Sequence, residues 1–290
     1  MSCAIIACLK QEELYIKEWL DWHISIGIDK FYLCDNNDED YLPKLQDIIK
    51  DYINKGIVEI FNYSGVHPIQ PICYTEIYDI IGYNYDWVLI IDIDEFIWLP
   101  KYNNQLKDYL KNVPEYIKCI GINWRNYGDN ELIEYDDRPV QERFKNPINI
   151  SHNNHPFIIN GQSNVIKSII RGKKYFNYDI KIKHQHYAIP KEIKKYKIYD
   201  VLFNKISKST YNSISKNENL IVNSKYFQEI YNTFYIKHYG TKTIEEYIWK
   251  INRGDTLKDK NDKKYPYKIS NFWGKNNKTK EKIQYLKNHG

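Results

Sequence analysis

Three acidic side chains, Asp92, Asp94 and Glu95, directly follow four aliphatic residues in the segment VLIIDIDEFIWLP, residues 88–100. The aliphatic run predicts a buried strand, in which a carboxylate without a partner is costly. In an extended strand Asp92 and Asp94 point to the same face, about 6–7 Å apart between Cα atoms. Carboxylates at that separation can share one divalent cation, directly or through water. The structural alternative is that the acids cap a helix or pair with lysines at the rim of the sheet.

The first hundred residues alternate between strand and helix patterns, which predicts an α/β fold with a Rossmann-like, mostly parallel sheet and helices on both faces. Strands are predicted at 3–9, 30–36, 57–63 and 86–94, and helices at 11–27, 41–56 and 70–84. Ligands of such sheets bind at the carboxyl ends of the strands. Asp35 and Asn36 end the second predicted strand and the acids end the fourth, so both polar clusters are expected at one edge.

Composition narrows the class of protein. The chain has 290 residues, of which 42% are hydrophobic, so it can bury a sizeable core. Its five cysteines form no CxxC pair and are predicted to be buried thiols in a reducing compartment. No apolar run reaches the length of about 18 residues that a membrane span needs, and residues 3–9 are too short for a signal peptide. We therefore expect a soluble, cytoplasmic protein without a transmembrane segment.

Basic charge is concentrated at the C-terminus. Residues 241–290 contain 13 Lys and Arg against 6 Asp and Glu, whereas residues 1–240 contain 29 against 31. A basic stretch of this kind is usually a surface exposed to solvent. The alternative is that it binds an anionic partner. We predict a basic C-terminal extension over 255–290 and expect no nucleic acid partner.

Two common nucleotide-binding motifs are absent from the chain. It contains neither GxGxxG nor GxxxxGK[ST], which excludes a dinucleotide fingerprint and a phosphate-binding loop of those types.

Three separated segments resemble one family. They are LKQEELYIKEWLDWHISIGIDKFYLCDNNDED at 9–40, DWVLIIDIDEFIWL at 86–99 and IKHYGTKTIEEYIWKINRGD at 236–255. In order and spacing they resemble the GT-A-fold glycosyltransferases of the group related to families 2 and 92, whose signature is Asp-x-Asp-Glu-Phe. Gln11 replaces the family's usual Asn and Thr243 its usual Ser, and both replacements keep the ability to form hydrogen bonds.

The resemblance implies a GT-A-type fold and assigns roles to single residues. Asp94 would ligate Mn²⁺ or Mg²⁺, His238 would be the third protein ligand, and Asp92 would support the metal or the ribose. Asp35 would hold the base or the ribose. The other residues expected to bind the nucleotide sugar are Lys10, Glu12, Asn36, Lys242 and Arg253. The chemistry agrees, because a nucleoside diphosphate leaving group needs its charge neutralised by a metal and cationic side chains.

Transfer with inversion also needs a general base that deprotonates the acceptor hydroxyl. The segment GINWRNYGDNELIEYDD offers Asp129, Glu131, Asp136 and Asp137 as candidates. The resemblance around Trp124 and Gly128 favours Asp129, with Glu131 next, although loop acids are commonly only solvated. Glu95 is expected either to contact the acceptor or to hold Asp92 in place.

His184 and His186 lie on one face if their segment is a strand. A zinc site, a pocket wall and satisfied structural histidines are all compatible with that spacing, and no Cys or HExxH motif supports zinc.

We therefore predict a metal-dependent glycosyltransferase, with inverting transfer and a UDP-sugar donor favoured, that acts on a hydroxyl of a glycan or other acceptor. The domain covers 1–254, with a nucleotide-sugar-binding half at 1–100 and an acceptor-binding half at 101–254.

Two other enzyme classes fit the sequence less well. A haloacid-dehalogenase-type phosphatase would carry its DxD motif on the first strand, and a nucleotidyltransferase would carry a Gly-rich signature that residues 8–13 lack. The alternative without catalysis is a module that binds a nucleotide sugar or nucleic acid and whose acids are structural. The sequence does not indicate an oligomeric state.

Overall fold

The structure is a computed structural model that describes residues 1–66, 68–149, 161–176, 180–184, 187–190, 197–206, 225–254, 256 and 267–290. The strands are β1 Cys3–Leu9, β2 Lys30–Asp35, β3 Val58–Asn62, β4 Trp87–Ile90, β5 Glu95–Trp98, β6 Cys119–Asn126, β7 Gln162–Arg171, β8 Ile180–His184, β9 Tyr187–Pro190 and β10 Tyr235–His238. The α-helices are α1 Ile16–Ser25, α2 Leu45–Ile48, α3 Lys50–Asn54, α4 Gln70–Ile81, α5 Leu106–Leu110, α6 Val140–Arg143, α7 Lys225–Thr233, α8 Ile244–Arg253, α9 Ile269–Trp273 and α10 Lys280–His289. Short 3₁₀ helices cover Pro100–Tyr102 and Lys173–Tyr175.

One eight-stranded sheet organises the described residues, in the order β3-β2-β1-β4-β7-β6-β10-β5. The pairs β3/β2, β2/β1, β1/β4 and β6/β10 are parallel. The pairs β4/β7, β6/β7 and β5/β10 are antiparallel. The first four strands in sequence therefore form the parallel half of the sheet, which confirms the predicted α/β class with a mostly parallel sheet.

Both faces of the sheet are covered at β1, which explains why this strand is apolar at every position. On β1, Ile5 packs into one core with Trp19 of α1, and Ile6 packs into a second core with Tyr74 of α4. Every residue of β1 is buried. A strand buried on both sides has no polar face, so the sequence shows an unbroken apolar run there.

Two predicted helices differ from the observed ones. The first begins at Ile16 and not at Gln11, because Gln11 adopts a left-handed backbone conformation with φ of 50°. The second is divided into α2 and α3 at Ile49, whose φ of −108° and ψ of 24° are not helical. The first difference matters for the site, since it leaves a loop after β1 at the carboxyl edge of the sheet.

The fourth predicted strand was wrong at its C-terminal end. β4 ends at Ile90, and the chain then turns, with the amide of Glu95 donating to the carbonyl of Asp92 at 3.1 Å. The indole of Trp19 holds this turn by donating to the carbonyls of Asp92 and Glu95 at 3.1 and 2.9 Å. Glu95 then starts β5, which pairs with β10. Asp92 and Asp94 therefore lie in a turn and not on one face of a strand.

The C-terminal residues 267–290 contribute to the core. Phe272 of α9 packs with Ile244 and Tyr247 of α8, and Leu286 of α10 packs against the same cluster. No helix in the described part of the chain is both long and apolar enough to cross a membrane.

Candidate functional site

A cleft at the carboxyl ends of β1 and β4 collects the acids with several basic side chains. We call it the acid cleft; it encloses about 50 Å³ and is lined by Cys8, Leu9, Lys10, Glu12, Gln70, Asp92, Ile93, Asp94, Lys250, Arg253, Gly254, Thr256 and Tyr267. Its walls come from β1, the turn after β4, the start of α4 and the end of α8. The cleft thus lies at the strand ends, where parallel α/β sheets bind ligands.

Asp92 faces a buried lysine on the neighbouring antiparallel strand β7. Its Oδ2 lies 2.7 Å from Nζ of Lys167, which is fully buried. Its Oδ1 is reached from α4 by the hydroxyl of Tyr74 at 3.3 Å and the amide of Gln70 at 3.5 Å. About a quarter of the Asp92 side chain stays exposed, at 27%. Both oxygens of Asp92 are therefore held by neighbouring side chains, while part of the carboxylate remains open to the cleft.

Asp94 lies deeper and carries negative charge. Nζ of Lys250 donates to its Oδ2 at 2.9 Å and to the carbonyl of Gly240 at 3.1 Å. Burial opposes ionisation, but the surrounding positive charges, with Lys250 the strongest, together outweigh it and hold the pKa of Asp94 well below its usual range. Its other oxygen, Oδ1, faces Nε2 of His238 at 3.8 Å.

The orientation of His238 is fixed on three sides. Its Nδ1 lies 2.9 Å from Oδ1 of Asn126, whose amide nitrogen donates to the carbonyl of Gly161 at 3.4 Å. Its ring stacks on Trp124 with 3.9 Å between centroids. A Cβ on Gly240 would lie 2.7 Å from Cε1 of His238, so a glycine is needed there. Since Oδ1 of Asn126 can only accept, Nδ1 carries the proton and Nε2 presents a lone pair to Asp94.

This geometry fits a metal ion. Burial lowers the pKa of His238 well below its ordinary value, so the imidazole is neutral, as a metal ligand must be. Two lone pairs that face each other at 3.8 Å without a proton between them repel. A cation that bonds to each at about 2.1 Å would place its ligand atoms about 3–4 Å apart. Ligand atoms of Asp94, Glu95 and His238 lie within 4.8 Å of one another, so this buried group could hold a metal.

Glu95 is fully buried and turns towards Lys167 and the backbone of the acidic turn. Its Oε2 accepts from the amide of Asp92 at 3.1 Å, and its Oε1 lies 3.5 Å from Nζ of Lys167 without a hydrogen bond. Burial, with Asp92 and Asp94 nearby, raises the pKa of Glu95 well above its ordinary value. Of the two roles considered for Glu95, these contacts fit the one in which it holds Asp92.

Glu12 organises the basic residues predicted to bind the nucleotide sugar. Arg253 pairs with Oε1 of Glu12 and donates to the carbonyl of Gln11 at 2.7 Å. Lys242 lies 4.0 Å from the other oxygen of Glu12, with its amine 4.0 Å above the ring of Tyr15. Arg253 therefore lines the acid cleft, whereas Lys242 lines an adjoining cavity of about 290 Å³ that Arg253 shares.

The remaining predicted donor residues are spread over a wider region. Lys10 lines the cleft and pairs with the exposed Asp38 at 3.3 Å. Asp35 lines a separate cavity of about 330 Å³ beside the cleft, and its carboxylate accepts from the amide of Asn37 at 2.9 Å. The amide of Asn36 is fully buried and donates to the carbonyls of Tyr63 and Val66 at 2.8 and 3.2 Å. Asn36 thus holds the loop after β3 and does not reach the cleft through its amide nitrogen.

The two predicted bases share one lysine of the C-terminal helix. Nζ of Lys282, a fully buried residue, lies 2.6 Å from Oδ2 of Asp129 and 2.8 Å from Oε2 of Glu131. Burial raises the pKa of Asp129, whereas the hydrogen bond from Lys282 lowers the pKa of the half-exposed Glu131. The amide of Asp129 donates to Oδ1 of Asn276 at 2.7 Å. The loop 127–131 is thus held by residues of the C-terminal segment.

Four residues at this site were missed by the sequence analysis: Gln70, Asn126, Lys167 and Lys250. Lys167 offered a signal, because it is a single lysine within the apolar strand pattern NVIKSIIR. Lys250 lies in the third family-like segment without an assigned role. Gln70 and Asn126 carried no signal. Of the two histidines at 184 and 186, His184 ends β8 and His186 lies outside the described residues, so the predicted roles for that pair stay predictions.

Comparison with known proteins supports the family resemblance. No protein-family model matches the chain. A glycosyltransferase family 92 protein of Oryza sativa subsp. japonica is 25% identical over 126 residues, which is 38% of this chain and 18% of that protein. A glycosyltransferase family 92 protein of Ricinus communis is 31% identical over 117 residues, 37% of this chain and 19% of that protein. The chain thus spans about a fifth of the length of these relatives, and its resemblance to the family 92 group is confirmed.

Several solved structures are similar to part of the fold. TarS of S. aureus has a TM-score of 0.33 at 15% identity, covering 47% of this chain and 23% of TarS. The mannosyltransferase PcManGT of Pyrobaculum calidifontis, in complex with GDP-Man and Mn²⁺, has a TM-score of 0.29 at 10% identity, covering 41% and 34%. GalNAc-T7 with UDP, GalNAc and Mn²⁺ has a TM-score of 0.31 at 11% identity, covering 44% and 23%.

Proposed function

We propose that this chain is a metal-dependent glycosyltransferase that moves a sugar from a nucleotide sugar, with a UDP-sugar as the favoured donor, to a hydroxyl group of a glycan or another acceptor. The observation that carries the proposal is the pair Asp94 and His238, whose facing lone pairs lie 3.8 Å apart beside the lysine and arginine residues of the acid cleft. The family 92 relatives support the type of reaction.

The proposed metal is Mn²⁺ or Mg²⁺, held by Asp94 and His238, with Asp92 next to it. Such an ion neutralises the charge that develops on a diphosphate leaving group. Asp92 keeps its place through Lys167, and Asn126 keeps Nε2 of His238 free of a proton. These supporting contacts preorganise the ligands, so little reorganisation is needed when the donor binds.

The basic residues of the cleft would bind the diphosphate. In the structure Lys250 is paired with Asp94 and Arg253 with Glu12. When Asp94 binds a cation, its hold on Lys250 weakens, and the amine becomes available to a phosphate oxygen. Lys275 adds a further amine near Asp94; burial and the charge of Lys250 lower its pKa to about 8, so it is still mostly protonated at neutral pH. Loss of the sugar leaves negative charge on the diphosphate, which these amines would stabilise.

We propose Asp129 as the base for inverting transfer, with Glu131 as the second candidate. Burial raises the pKa of Asp129, which makes its carboxylate more basic than an exposed one. Lys282 would keep the carboxylate ionised and oriented until the acceptor hydroxyl arrives.

A melting experiment tests the donor site. We expect UDP with Mn²⁺ to raise the melting temperature of the protein by mass action, because both bind only the folded state. UDP alone and Mn²⁺ alone are the controls and should give smaller shifts. If no nucleoside diphosphate produces a shift with or without a metal, the glycosyltransferase proposal is wrong and the acids are structural.

The variant Asp129→Asn tests the base. We expect it to keep the melting shift with UDP and Mn²⁺ but to lose sugar transfer by about 100-fold or more, as general base catalysis typically contributes. Glu131→Gln is the matched control, since it removes the other carboxylate on Lys282. Unchanged transfer by Asp129→Asn, with loss in Glu131→Gln, would assign the base to Glu131.

A further inference from the structure

Three cysteines from different elements meet beneath the acid cleft. Cys8 on β1 and Cys34 on β2 are register partners in the parallel pair, and Cys73 on α4 packs over them. The three sulfur atoms lie within 4.8 Å of one another, and the sulfur atoms of Cys8 and Cys73 are 2.9 Å apart. Cys8 also lines the acid cleft, whereas Cys34 and Cys73 are fully buried.

We propose that Cys8 and Cys73 are a redox-sensitive pair, oxidised to a disulfide by a small hydroperoxide that enters through the acid cleft, and that this bond alters the wall of the cleft beside Asp92. The inference goes beyond the proposed transferase activity and does not depend on it, because the covalent change can be measured by itself.

The surroundings favour a disulfide over a metal–thiolate centre. The three cysteines lie in an apolar core whose other buried members include Ile6 and Ile77. Thiolates around a metal would bring several negative charges into this core, and burial already raises the pKa of Cys8 and Cys34. A disulfide is neutral. Two thiolates on one zinc ion would also lie about 3.8 Å apart, given Zn–S bonds of about 2.3 Å, and the observed sulfur atoms are closer than that.

Cys73 is the thiol best placed to react first. Burial opposes its ionisation, but hydrogen bonds from the thiols of Cys34 and Cys8 stabilise its thiolate, and their balance lowers the pKa of Cys73. Burial raises the pKa of Cys8 and Cys34, so these two thiols stay neutral and can act as resolving groups. The cluster therefore contains one nucleophile and a partner within bonding reach, and the oxidant would reach the buried Cys73 past Cys8, which lines the cleft.

The reaction balances with the hydroperoxide as the only oxidant. The thiolate of Cys73 attacks the terminal oxygen of ROOH, the O–O bond breaks, and ROH leaves once the alkoxide takes a proton, so that Cys73 becomes a sulfenic acid. The thiol of Cys8 then attacks that sulfur, an S–S bond forms, and the sulfenic hydroxyl leaves as water with the proton of Cys8. The two thiols lose two electrons, which reduce the peroxide bond.

A disulfide between Cys8 and Cys73 would change the acid cleft by moving α4. Gln70 and Tyr74, on either side of Cys73, both reach Oδ1 of Asp92. The sulfur of Cys73 also contacts the carbonyl of Gln70 at 3.5 Å. Closing the sulfur atoms of Cys8 and Cys73 from 2.9 Å to the disulfide length of about 2.05 Å displaces the start of α4 relative to β1. We therefore expect the oxidised protein to bind UDP with Mn²⁺ more weakly than the reduced protein.

The test is a count of reactive thiols in the full chain after treatment with hydrogen peroxide, followed by denaturation and labelling with a maleimide. We expect two fewer labels than in the reduced protein, a cross-linked peptide pair containing Cys8 and Cys73, and recovery of both labels with dithiothreitol. Cys73→Ser and Cys8→Ser should each abolish the cross-link. Cys119→Ser, which changes another buried cysteine of the same core, should retain it.

Other outcomes overturn the proposal in distinct ways. Full labelling after peroxide, in protein that melts normally, shows that the pair is inert. A cross-link through Cys34 in place of Cys8 refutes the pairing. Zinc or copper bound to the purified protein at one equivalent, with the thiols protected until the metal is removed, assigns the cluster to a metal. Failure of the UDP melting shift in the reduced wild type concerns only the proposed transferase function, since the thiol count does not use UDP.

Discussion

Asp94→Ala is expected to abolish metal-dependent sugar transfer, with a loss on the order of 1,000-fold. The variant removes the carboxylate that faces Nε2 of His238, so a cation at that point would keep one protein ligand in place of two. Charge stabilisation by a metal is worth several kcal/mol, and each step of about 1.4 kcal/mol is a factor of ten in rate. Isothermal titration with Mn²⁺ and an assay of nucleotide-sugar hydrolysis measure the two losses separately.

The control for this variant is Asp38→Ala. Asp38 is an exposed acid that pairs with Lys10 at the edge of the same cleft, so its removal changes the charge by the same amount without touching the proposed metal ligands. Asp94→Ala also leaves Lys250 buried without its carboxylate, and a moderate loss of stability is expected from that alone. Urea denaturation separates the two effects. Near-normal turnover in a folded Asp94→Ala protein would refute the metal assignment.

Glu246→Gln is expected to lower the free energy of unfolding by about 3–5 kcal/mol, the usual consequence of breaking a buried ion pair. Glu246 forms a two-point ion pair with Arg143, at 2.8 and 2.9 Å, and both side chains are 1% exposed. It also accepts from the hydroxyl of Tyr15 and completes a capping box with Thr243 at the start of α8. The variant leaves the buried guanidinium of Arg143 with Asp136, 4.0 Å away, in place of its two-point partner, and urea denaturation measures the loss.

Two further proteins make this result specific. Glu142→Gln changes an exposed acid next to Arg143 and should alter the free energy of unfolding by less than about 0.5 kcal/mol. The double variant Arg143→Met with Glu246→Gln also removes the guanidinium of Arg143, which has lost its partner carboxylate in the single variant. It should therefore be more stable than Glu246→Gln alone. A double variant as unstable as the sum of the two single ones would show that the ion pair is not the source of the loss.

The parallel half of the sheet could be predicted from the sequence because its signals are local. The apolar run at Cys3–Leu9 gave the strand with its observed limits, since a strand covered on both faces is apolar at every position. The strand after residue 86 was predicted four residues too long, because Ile91 and Ile93 continue the apolar pattern while the backbone already turns. That turn is held by the indole of Trp19, a contact between distant parts of the chain that a local pattern does not contain.

In the candidate site too, the residues in local motifs could be predicted from the sequence, whereas their distant partners could not. Asp92, Asp94 and His238 were predicted from motifs, and the structure brings Asp94 to 3.8 Å from His238. Their counter-ions Lys167 and Lys250 are 75 and 156 residues away along the chain from the acids that they bind. One sequence gives the charge of a lysine but not which carboxylate it reaches, because that depends on how distant strands and helices pack. The same applies to Lys282, which reaches the loop of Asp129 from the last helix.

The long separation between the acids and their lysines also governs how the protein is made. During synthesis, Asp92 and Asp94 leave the ribosome well before Lys250 does, so the nascent N-terminal half carries an acidic turn that lacks part of its charge compensation. Contacts between residues so far apart form late, because a long loop must close before they contribute. The parallel strands can pair early, whereas the acid cleft is completed only when α8 docks. The growing chain therefore acquires the parallel half of its sheet before its charge-balanced cleft.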